Sequence, residues 1–210
     1  MSAKYVILVP QFNDWEALNL LIGRINCDLA KPILAQTAML VVDDCSSVEQ
    51  SAPFVRFEGC SLQMLRLHRN LGHQRAIAIG LSYLANETQD SSVIVMDADG
   101  EDAPRDINEL VAASQLTPNK IIVAHRTKRH EGVLFRTFYL FYKILFKLLT
   151  GKVITFGNFS LVPRSRLGNI VRVSEIWNNY PGGILRSRIP FEAVPIERGK
   201  RLAGESKMNF

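Results

Sequence analysis

The sequence has no stretch of about 18 uncharged apolar residues, the shortest length that usually spans a bilayer as a helix. Cysteine is scarce as well, since Cys27, Cys45 and Cys60 cannot all pair and show no metal-binding spacing, which is typical of thiols in a reducing compartment. No secretory signal opens the sequence, and it contains no nucleic-acid-binding motif, internal repeat or low-complexity tract. We therefore expect no membrane span, no disulfide framework and no nucleic-acid partner.

The composition is that of an ordinary globular domain. The chain has 210 residues, of which 47% are hydrophobic and 21% charged, and we expect residues 1–210 to form one domain. Its net charge of +5 is modest but uneven, because acidic residues gather at 97–109 whereas basic residues gather at 126–147 and 186–207. This separation favours an anionic partner, either phosphate groups or a lipid surface.

Short apolar runs alternate with segments of helical period up to residue 124. Strands are predicted at 5–9, 39–42, 62–67, 93–96 and 121–124, and helices at 15–25, 75–86 and 104–116. Strands that alternate with helices in this way predict βαβ units and a mainly parallel sheet flanked by helices. The predicted fold class is therefore α/β.

Polar clusters follow three of the predicted strands, at Asn13/Asp14, Asp43/Asp44 and Asp97/Asp99. Parallel strands end at one edge of their sheet, where ligands bind in open α/β folds. Asp97 and Asp99 are two residues apart, so their carboxylates would point the same way on an extended segment. Two such oxygen ligands suit Mg²⁺ or Mn²⁺ bridging a diphosphate. The alternative is that the three clusters are solvated acidic turns.

Four segments resemble motifs of the family 2 nucleotide-sugar glycosyltransferases, in the family's order. Residues 43–47 are similar to its Val-Asp-Asp-Gly-Ser strand end, and residues 70–80 to the segment before its metal-binding strand. Residues 97–104 resemble the Asp-Ala-Asp-Leu-Gln-x-Pro-Pro motif of the polyprenyl-phosphate branch, and residues 201–207 its Arg-x-x-Gly-x-Ser-Lys signature. That branch includes dolichol-phosphate mannosyltransferase-like enzymes. The resemblance implies the GT-A fold and inverting sugar transfer from a UDP- or GDP-sugar to a polyprenyl phosphate.

The resemblance also implies which residues bind the nucleotide. Pro10, Phe12 and Asp14 would line the nucleoside pocket, with Asp14 standing where the family usually has Glu. Asp44 would accept hydrogen bonds from the base, although a turn or a helix cap is an alternative role for it. Gly72 would let the backbone approach the nucleotide closely.

The divalent ion, Mg²⁺ or Mn²⁺, would lie among Asp97, Asp99 and Glu101 by the same resemblance. Its task would be to neutralise the charge that develops on the leaving nucleoside diphosphate. Glu101 stands where family members carry Gln. A third carboxylate should strengthen binding of the ion and weaken the attraction for the diphosphate.

Several basic residues match family positions that approach phosphates. Arg126 and Arg136 match two family arginines, and Arg201, Ser206 and Lys207 lie in a segment, 198–210, that we expect to form a mobile loop over the site. The alternative for that segment is a solvated basic tail. The residues expected to act in catalysis are Asp99, Arg126, Arg201 and Lys207.

Asn158 is the clearest departure from the family pattern. It lies in a Gly-Asn-Phe-Ser-Leu segment where the family typically has Gly-Asp-Phe-Arg-Leu. An amide cannot act as a general base. A hydroxyl acceptor needs deprotonation, whereas a lipid phosphate is already an anion at pH 7. The substitution is therefore compatible with a phosphate acceptor and damaging for a hydroxyl acceptor.

Residues 134–149 are predicted to form a helix rich in Phe, Leu, Ile and Tyr. Arg136, Lys143 and Lys147 are spaced seven and four residues apart and share one helical face. A basic stripe on such a helix suits the membrane interface. The alternative is a core helix whose basic side chains extend to solvent.

Three functions remain open from the sequence. The first is a metal-dependent transferase that acts on polyprenyl phosphate, cytoplasmic and peripheral at the inner face of the membrane. The second is a family 2 glycosyltransferase with a soluble saccharide acceptor. The third is a nucleotide-sugar-binding protein that has lost turnover, which Asn158 and Glu101 motivate.

Overall fold

Each predicted apolar run forms a strand in the computed structural model, which describes residues 3–50, 53–88, 90–126, 156–197, 199 and 201–203. The strands are β1 Tyr5–Gln11, β2 Thr37–Asp43, β3 Leu62–Arg66, β4 Ser92–Val95, β5 Ile121–Arg126, β6 Ser160–Val162 and β7 Phe191–Ile196. The helices are α1 Trp15–Asp28, α2 Lys31–Leu34, α3 His73–Glu87, α4 Ile107–Leu116, α5 Arg164–Ile170 and α6 Tyr180–Ser187. Two 3₁₀ turns cover Pro104–Asp106 and Ser174–Trp177.

These strands form a seven-stranded sheet in the order β3-β2-β1-β4-β6-β5-β7. Neighbouring strands are parallel, except that β6 runs antiparallel to both β4 and β5. The predicted mainly parallel α/β sheet is therefore confirmed. Because β6 is reversed, its first residue lies at the edge where the parallel strands end.

Apolar side chains cover both faces of the sheet, and β1 shows why its sequence is apolar throughout. Val6 and Leu8 face a layer that contains α3, α5 and α6, whereas Ile7 and Val9 face a layer that contains α1 and α4. A strand that is buried on both sides needs a continuous apolar run rather than an alternating one. Because both faces of the sheet are covered by apolar side chains, polar residues are found mainly at the ends of these strands.

Helix α3 packs closely on the sheet at Gly80. A Cβ placed there would collide with the side chain of Leu8 and press on that of Val42. The absence of a side chain therefore lets α3 lie against β1 and β2. The close approach fixes the position of the first residues of α3, which belong to the site.

The sequence did not reveal the elements after residue 156. β6, α5, α6 and β7 were not predicted, and the predicted helix at 104–116 begins with a 3₁₀ turn at Pro104–Asp106 before α4. Strand β6 has three residues, too few for a periodic signal. The predicted helix at 134–149 lies outside the described residues. No helix within the described ranges has the length and apolar character that crossing a bilayer requires.

Candidate active site

Three parallel strands and one antiparallel strand bring polar residues to one edge of the sheet. Gln11 at the end of β1 lies opposite Asp43 at the end of β2. Ser160, the first residue of β6, lies opposite Val95, the last residue of β4. The chain before β6, which includes Asn158, therefore meets the acidic segment that follows β4. We call this edge the candidate active site.

Asp43 joins the loops that follow β1 and β2. Its Oδ1 accepts hydrogen bonds from Gln11 Nε2 at 3.0 Å and from the backbone N and Oγ of Ser46 at 3.1 and 2.5 Å. Arg66 Nε lies 3.3 Å from Oδ2. The Gln11 Oε1 atom in turn accepts from the backbone N–H of Asp14 at 3.1 Å. Asp43 is thus a buried structural residue that holds Asp14 in place.

Asp44 fixes the turn that begins α3. Its two carboxylate oxygens accept from the backbone N–H groups of Leu71 at 2.7 Å and Gly72 at 2.8 Å. Gly72 has φ +92, a conformation that favours glycine, and open space lies where its Cβ would be. Asp44 is only 3% exposed, and each of its carboxylate oxygens already accepts one backbone N–H. Its predicted contact with a base stays a prediction.

Asp97 is held by two side chains. His73 Nε2 lies 3.1 Å from Asp97 Oδ1, and Asn158 Nδ2 donates to both carboxylate oxygens at 3.2 and 3.4 Å. Burial lowers the pKa of His73. The hydrogen bond to Asp97 and the negative charges of Asp97, Asp99 and Asp44 raise it by more, so the pKa lies above its ordinary value. The His73 imidazole therefore favours its cationic form beside this carboxylate.

Asp99 shares one guanidinium with Asp14. Arg201 Nη2 donates to Asp14 Oδ2 at 2.6 Å, and Arg201 Nη1 lies 3.4 Å from Asp99 Oδ2. The pKa of Asp99 is raised, mainly by desolvation on burial and also by the negative charges of Asp97 and Glu101. The hydrogen bond from the Glu101 N–H and the charge of Arg201 lower it by less.

Residues 199 and 201–203, here called the strap, lie against the acidic segment after β4. The backbone N–H of Gly199 donates to the Glu101 carbonyl at 2.8 Å, and that of Leu202 to the Asp99 carbonyl at 2.9 Å. The Leu202 side chain covers Gly100, whose φ is +76 and whose Cβ would collide with it. These contacts place Arg201 over the acidic edge.

The extended geometry predicted for Asp97 and Asp99 is wrong. Ala98 and Asp99 form a turn, and Gly100 adopts positive φ, so the two carboxylates contact different partners. Among the described residues, no three His, Cys, Asp or Glu side chains converge as a metal centre. The side chains of Asp97 and Asp99 are 27% and 24% exposed and offer hard oxygen atoms. This pair fits Mg²⁺ or Mn²⁺, which commonly bind one or two carboxylates and complete their shell with phosphate oxygens and water.

The remaining predicted residues divide into those that the structure describes and those that it does not. Pro10 is buried in β1, and Phe12 is exposed in the loop that follows it. Arg126 is the last residue of β5. Outside the described residues lie Arg136, Lys143, Lys147, Ser206 and Lys207. All of these assignments stay predictions.

Three polar residues of the site were given no role from the sequence: Gln11, His73 and Gln74. His73 and Gln74 begin α3, directly after the Gly72 turn. They lie within residues 70–80, the segment that resembles the family, and a pair of polar side chains at a helix start beside a predicted ligand edge was the signal available. Gln11 follows the strand predicted at 5–9, in a stretch expected to be a loop, whereas β1 extends to it in the structure.

Solved structures share this architecture. TarS of S. aureus, residues 1–349, solved in complex with UDP-GlcNAc, superposes with a TM-score of 0.57 at 14% identity, covering 96% of this chain and 60% of that chain. The same TarS fragment in another crystal structure gives a TM-score of 0.56 and covers 91% of this chain and 58% of that chain, again at 14% identity. The fold is therefore the GT-A fold of nucleotide-sugar transferases, as predicted.

The particular family follows from the sequence comparisons. The model described as "Glycosyl transferase family 2" matches residues 7–193, and the chain belongs to this family. The uncharacterized glycosyltransferase YkcC of Bacillus subtilis (strain 168) is 29% identical over 216 residues, covering 97% of this chain and 63% of that protein. The undecaprenyl-phosphate 4-deoxy-4-formamido-L-arabinose transferase of Klebsiella pneumoniae is 25% identical over 216 residues, covering 99% of this chain and 63% of that protein. The chain thus spans slightly less than two thirds of the length of these relatives.

Proposed function

We propose that this protein transfers a sugar, with inversion, from a UDP- or GDP-sugar to a polyprenyl phosphate, with Mg²⁺ or Mn²⁺ as cofactor. The observation that carries the proposal is Asn158. Its amide donates to Asp97 at 3.2 Å, at a position where the family resemblance leads one to expect an acid. A site that offers an N–H donor here, rather than a carboxylate, suits an acceptor that needs no base. The relatives named as undecaprenyl-phosphate and dodecaprenyl-phosphate enzymes support this acceptor class.

The donor would bind across the carboxyl edge of the sheet. Pro10, Phe12 and Asp14 would contact the nucleoside, and the open space above Gly72 would admit the ligand beside Asp44. Asp97 and Asp99 would hold the ion, which when bound would neutralise charge on the diphosphate. Arg201 would exchange its contact with Asp99 for a phosphate oxygen, since a guanidinium binds phosphate and carboxylate in the same bidentate geometry.

The transfer step balances without a proton. A phosphate oxygen of the acceptor uses a lone pair to form a bond to the anomeric carbon. The bond from that carbon to the diphosphate breaks, and its electron pair stays on the leaving nucleoside diphosphate. A saccharide hydroxyl would in addition have to lose a proton to a base. Asn158 cannot accept that proton, and the nearby His73 Nε2 atom already faces Asp97 Oδ1 at 3.1 Å.

We also propose that the protein acts at a membrane surface, peripherally at the inner, cytoplasmic face. The support is the sequence of the predicted helix at 134–149, with its basic residues on one face and its aromatic and aliphatic residues on the others. Cations there would lie near lipid phosphates, and the prenyl chain of the acceptor would remain in the bilayer.

A transfer assay tests the proposal. UDP- and GDP-sugars are incubated with Mn²⁺ and with undecaprenyl phosphate in detergent, with a soluble saccharide, or without acceptor. We expect product only with the prenyl phosphate, and none in Asp99→Asn, while Glu109→Gln, which removes an exposed acid of α4, behaves as wild type. Product with the saccharide alone would favour the soluble-acceptor alternative. Nucleotide-sugar binding without turnover under any condition would favour the binding protein.

A further inference from the structure

Gln74, the second residue of α3, connects the Asn158 amide to the backbone of α6. We propose that Gln74 is a positioning residue that sets which way Asn158 faces, so that the site presents an N–H donor to Asp97. The consequence for the acceptor rests on the function proposed above. The orientation itself is a property of the protein alone and is tested separately below.

The orientation of Gln74 is fixed by a group that can only donate. The backbone N–H of Tyr180 donates to Gln74 Oε1 at 2.6 Å. Tyr180 is the first residue of α6, where the first amides have no acceptor within the helix. A backbone N–H cannot reverse its role, so Gln74 must present its oxygen to Tyr180. Its Nε2 atom is left to donate on the other side.

The orientation of Asn158 follows from that of Gln74. Gln74 Nε2 donates to Asn158 Oδ1 at 3.3 Å, which leaves Asn158 Nδ2 facing Asp97 and, at 3.0 Å, His73 Nε2. A reversed Asn158 would place its oxygen against the Asp97 carboxylate and its NH₂ group against the NH₂ group of Gln74. Both contacts would be repulsive, and together they outweigh the single hydrogen bond that the reversed Oδ1 would accept from a protonated His73 Nε2, 3.0 Å from the present amide nitrogen. The series from Tyr180 through Gln74 to Asn158 therefore has one favourable arrangement.

A second connection from Tyr180 holds the backbone of Asn158. The hydroxyl groups of Tyr180 and Ser160 lie 2.8 Å apart in the core, and Ser160 Oγ donates to the Asn158 carbonyl at 3.0 Å. Tyr180 thus acts on Asn158 by two separate routes, one to its side chain and one to its main chain. The main-chain route holds the backbone of Asn158 at the acidic edge, and the side-chain route through Gln74 sets which end of the amide faces Asp97.

The orientation of the Asn158 amide matters for the proposed reaction because the site then holds a hydrogen-bond donor, rather than an additional anion, at position 158. An acid there would still accept from Gln74 Nε2, but its other oxygen would lie against the carboxylate of Asp97. The amide instead donates to Asp97 and keeps that carboxylate oriented for its ligand. Gln74 and Asn158 would therefore act as one unit that suits an acceptor bringing its own negative charge.

The first test observes Asn158 directly in the ligand-free protein. The side-chain amide signals of Asn158 are identified in a ¹H–¹⁵N NMR spectrum by their loss in Asn158→Asp. Gln74→Glu removes the donor to Asn158 Oδ1, so Asn158 should turn, shift its amide signals and lose its NOE contacts to the His73 ring. Gln74→Met, which keeps the length without hydrogen bonds, should broaden or shift the same signals. Gln63→Glu, an exposed change of equal charge on β3, should leave them unchanged.

The second test asks whether Gln74 acts through Asn158. If it does, Gln74→Met should turn Asn158 away and so remove its charge-assisted hydrogen bond to Asp97, which should lower kcat about ten- to a hundredfold with the donor KM within twofold of wild type. In an Asn158→Ala background the same substitution should have no further effect on kcat. A merely structural role would instead give independent, additive losses in both backgrounds.

The outcomes separate the inference from the proposed function. Unchanged Asn158 signals in both Gln74 variants, or additive losses of kcat, would overturn the positioning role. Shifted signals in a protein that transfers only to a saccharide hydroxyl would support the positioning role and overturn the acceptor class.

Discussion

Arg201 offers the sharpest test of how the acidic edge is held together. Its guanidinium donates to Asp14 at 2.6 Å and lies 3.4 Å from Asp99, and all three side chains are mostly buried. A hydrogen bond to a charged group contributes about 1.5–3 kcal/mol, and the shorter of the two contacts should dominate. We therefore expect Arg201→Ala to lower the free energy of unfolding by about 1.5–3 kcal/mol, measured by urea denaturation.

The same substitution should raise the affinity of the nucleotide-free protein for Mn²⁺. In the wild type the ion has to displace the guanidinium from Asp99, and in Arg201→Ala it does not. The contact with Asp99 is the longer of the two, so removing this competition should contribute at most about 1.5 kcal/mol, which corresponds to a Kd for Mn²⁺ lower by at most about tenfold. The electron paramagnetic resonance signal of free Mn²⁺ measures this directly. Sugar transfer should move the other way and fall about ten- to a hundredfold, because Arg201 is proposed to bind phosphate during the reaction.

Arg186 provides a matched control. Its ion pair with Glu175 is 3.3 Å long, and the two side chains are 76% and 46% exposed. Such surface pairs contribute about 0–1 kcal/mol, so Arg186→Ala should change stability little and Mn²⁺ affinity not at all. Equal Mn²⁺ affinity in Arg201→Ala and wild type would refute the competition. A stability loss no larger than that of Arg186→Ala would refute the estimated strength of the contact.

Three further predictions concern the metal, the backbone and the membrane. Asp99→Asn should abolish metal-dependent nucleotide binding while the fold persists, and calorimetry that shows the wild-type nucleotide affinity with Mn²⁺ would contradict the metal assignment. Cys45 adopts φ +61, which costs an L-residue about 1–2 kcal/mol, so Cys45→Gly should raise the urea midpoint, and a lower midpoint would contradict this explanation. Replacing Arg136, Lys143 and Lys147 with Gln should weaken salt-sensitive binding to anionic liposomes, whereas equal partitioning at low salt would favour a buried helix.

Much of the fold was predictable because its strands are buried on both faces. The runs at 5–9, 39–42 and 93–96 are continuously apolar, and all three form strands whose ends share one edge. Polar residues that directly follow such strands must lie at that edge of the sheet. The order of strands and loops therefore predicted where Asp14, Asp97 and Asp99 gather.

The partners of these acids could not be predicted in the same way. Asn158 meets Asp97 only because β6 is reversed, and a three-residue strand carries no signal of its direction. Arg201 reaches Asp14 across 187 positions of sequence, through backbone contacts of the strap that leave no periodic signal. The residues Asp97-Ala98-Asp99-Gly100 are compatible with either an extended segment or a turn, and the structure has the turn. Long-range pairing of this kind depends on tertiary packing rather than on local pattern.

If the proposed ion and nucleotide bind at the acidic edge, the arrangement of its charges favours binding of the two together. Asp44 is satisfied by backbone N–H groups, Asp97 by His73 and Asn158, and Asp99 shares Arg201 with Asp14. An ion that binds Asp99 alone displaces a cation and gains little net charge compensation. A diphosphate that arrives with the ion supplies the anion that the released guanidinium needs. The diphosphate pairs with the guanidinium that the ion displaces, so each ligand should raise the affinity for the other. Such coupling between two binding free energies is reciprocal. We therefore expect the protein to bind Mn²⁺ and the nucleotide weakly when each is offered alone, and more tightly when both are present.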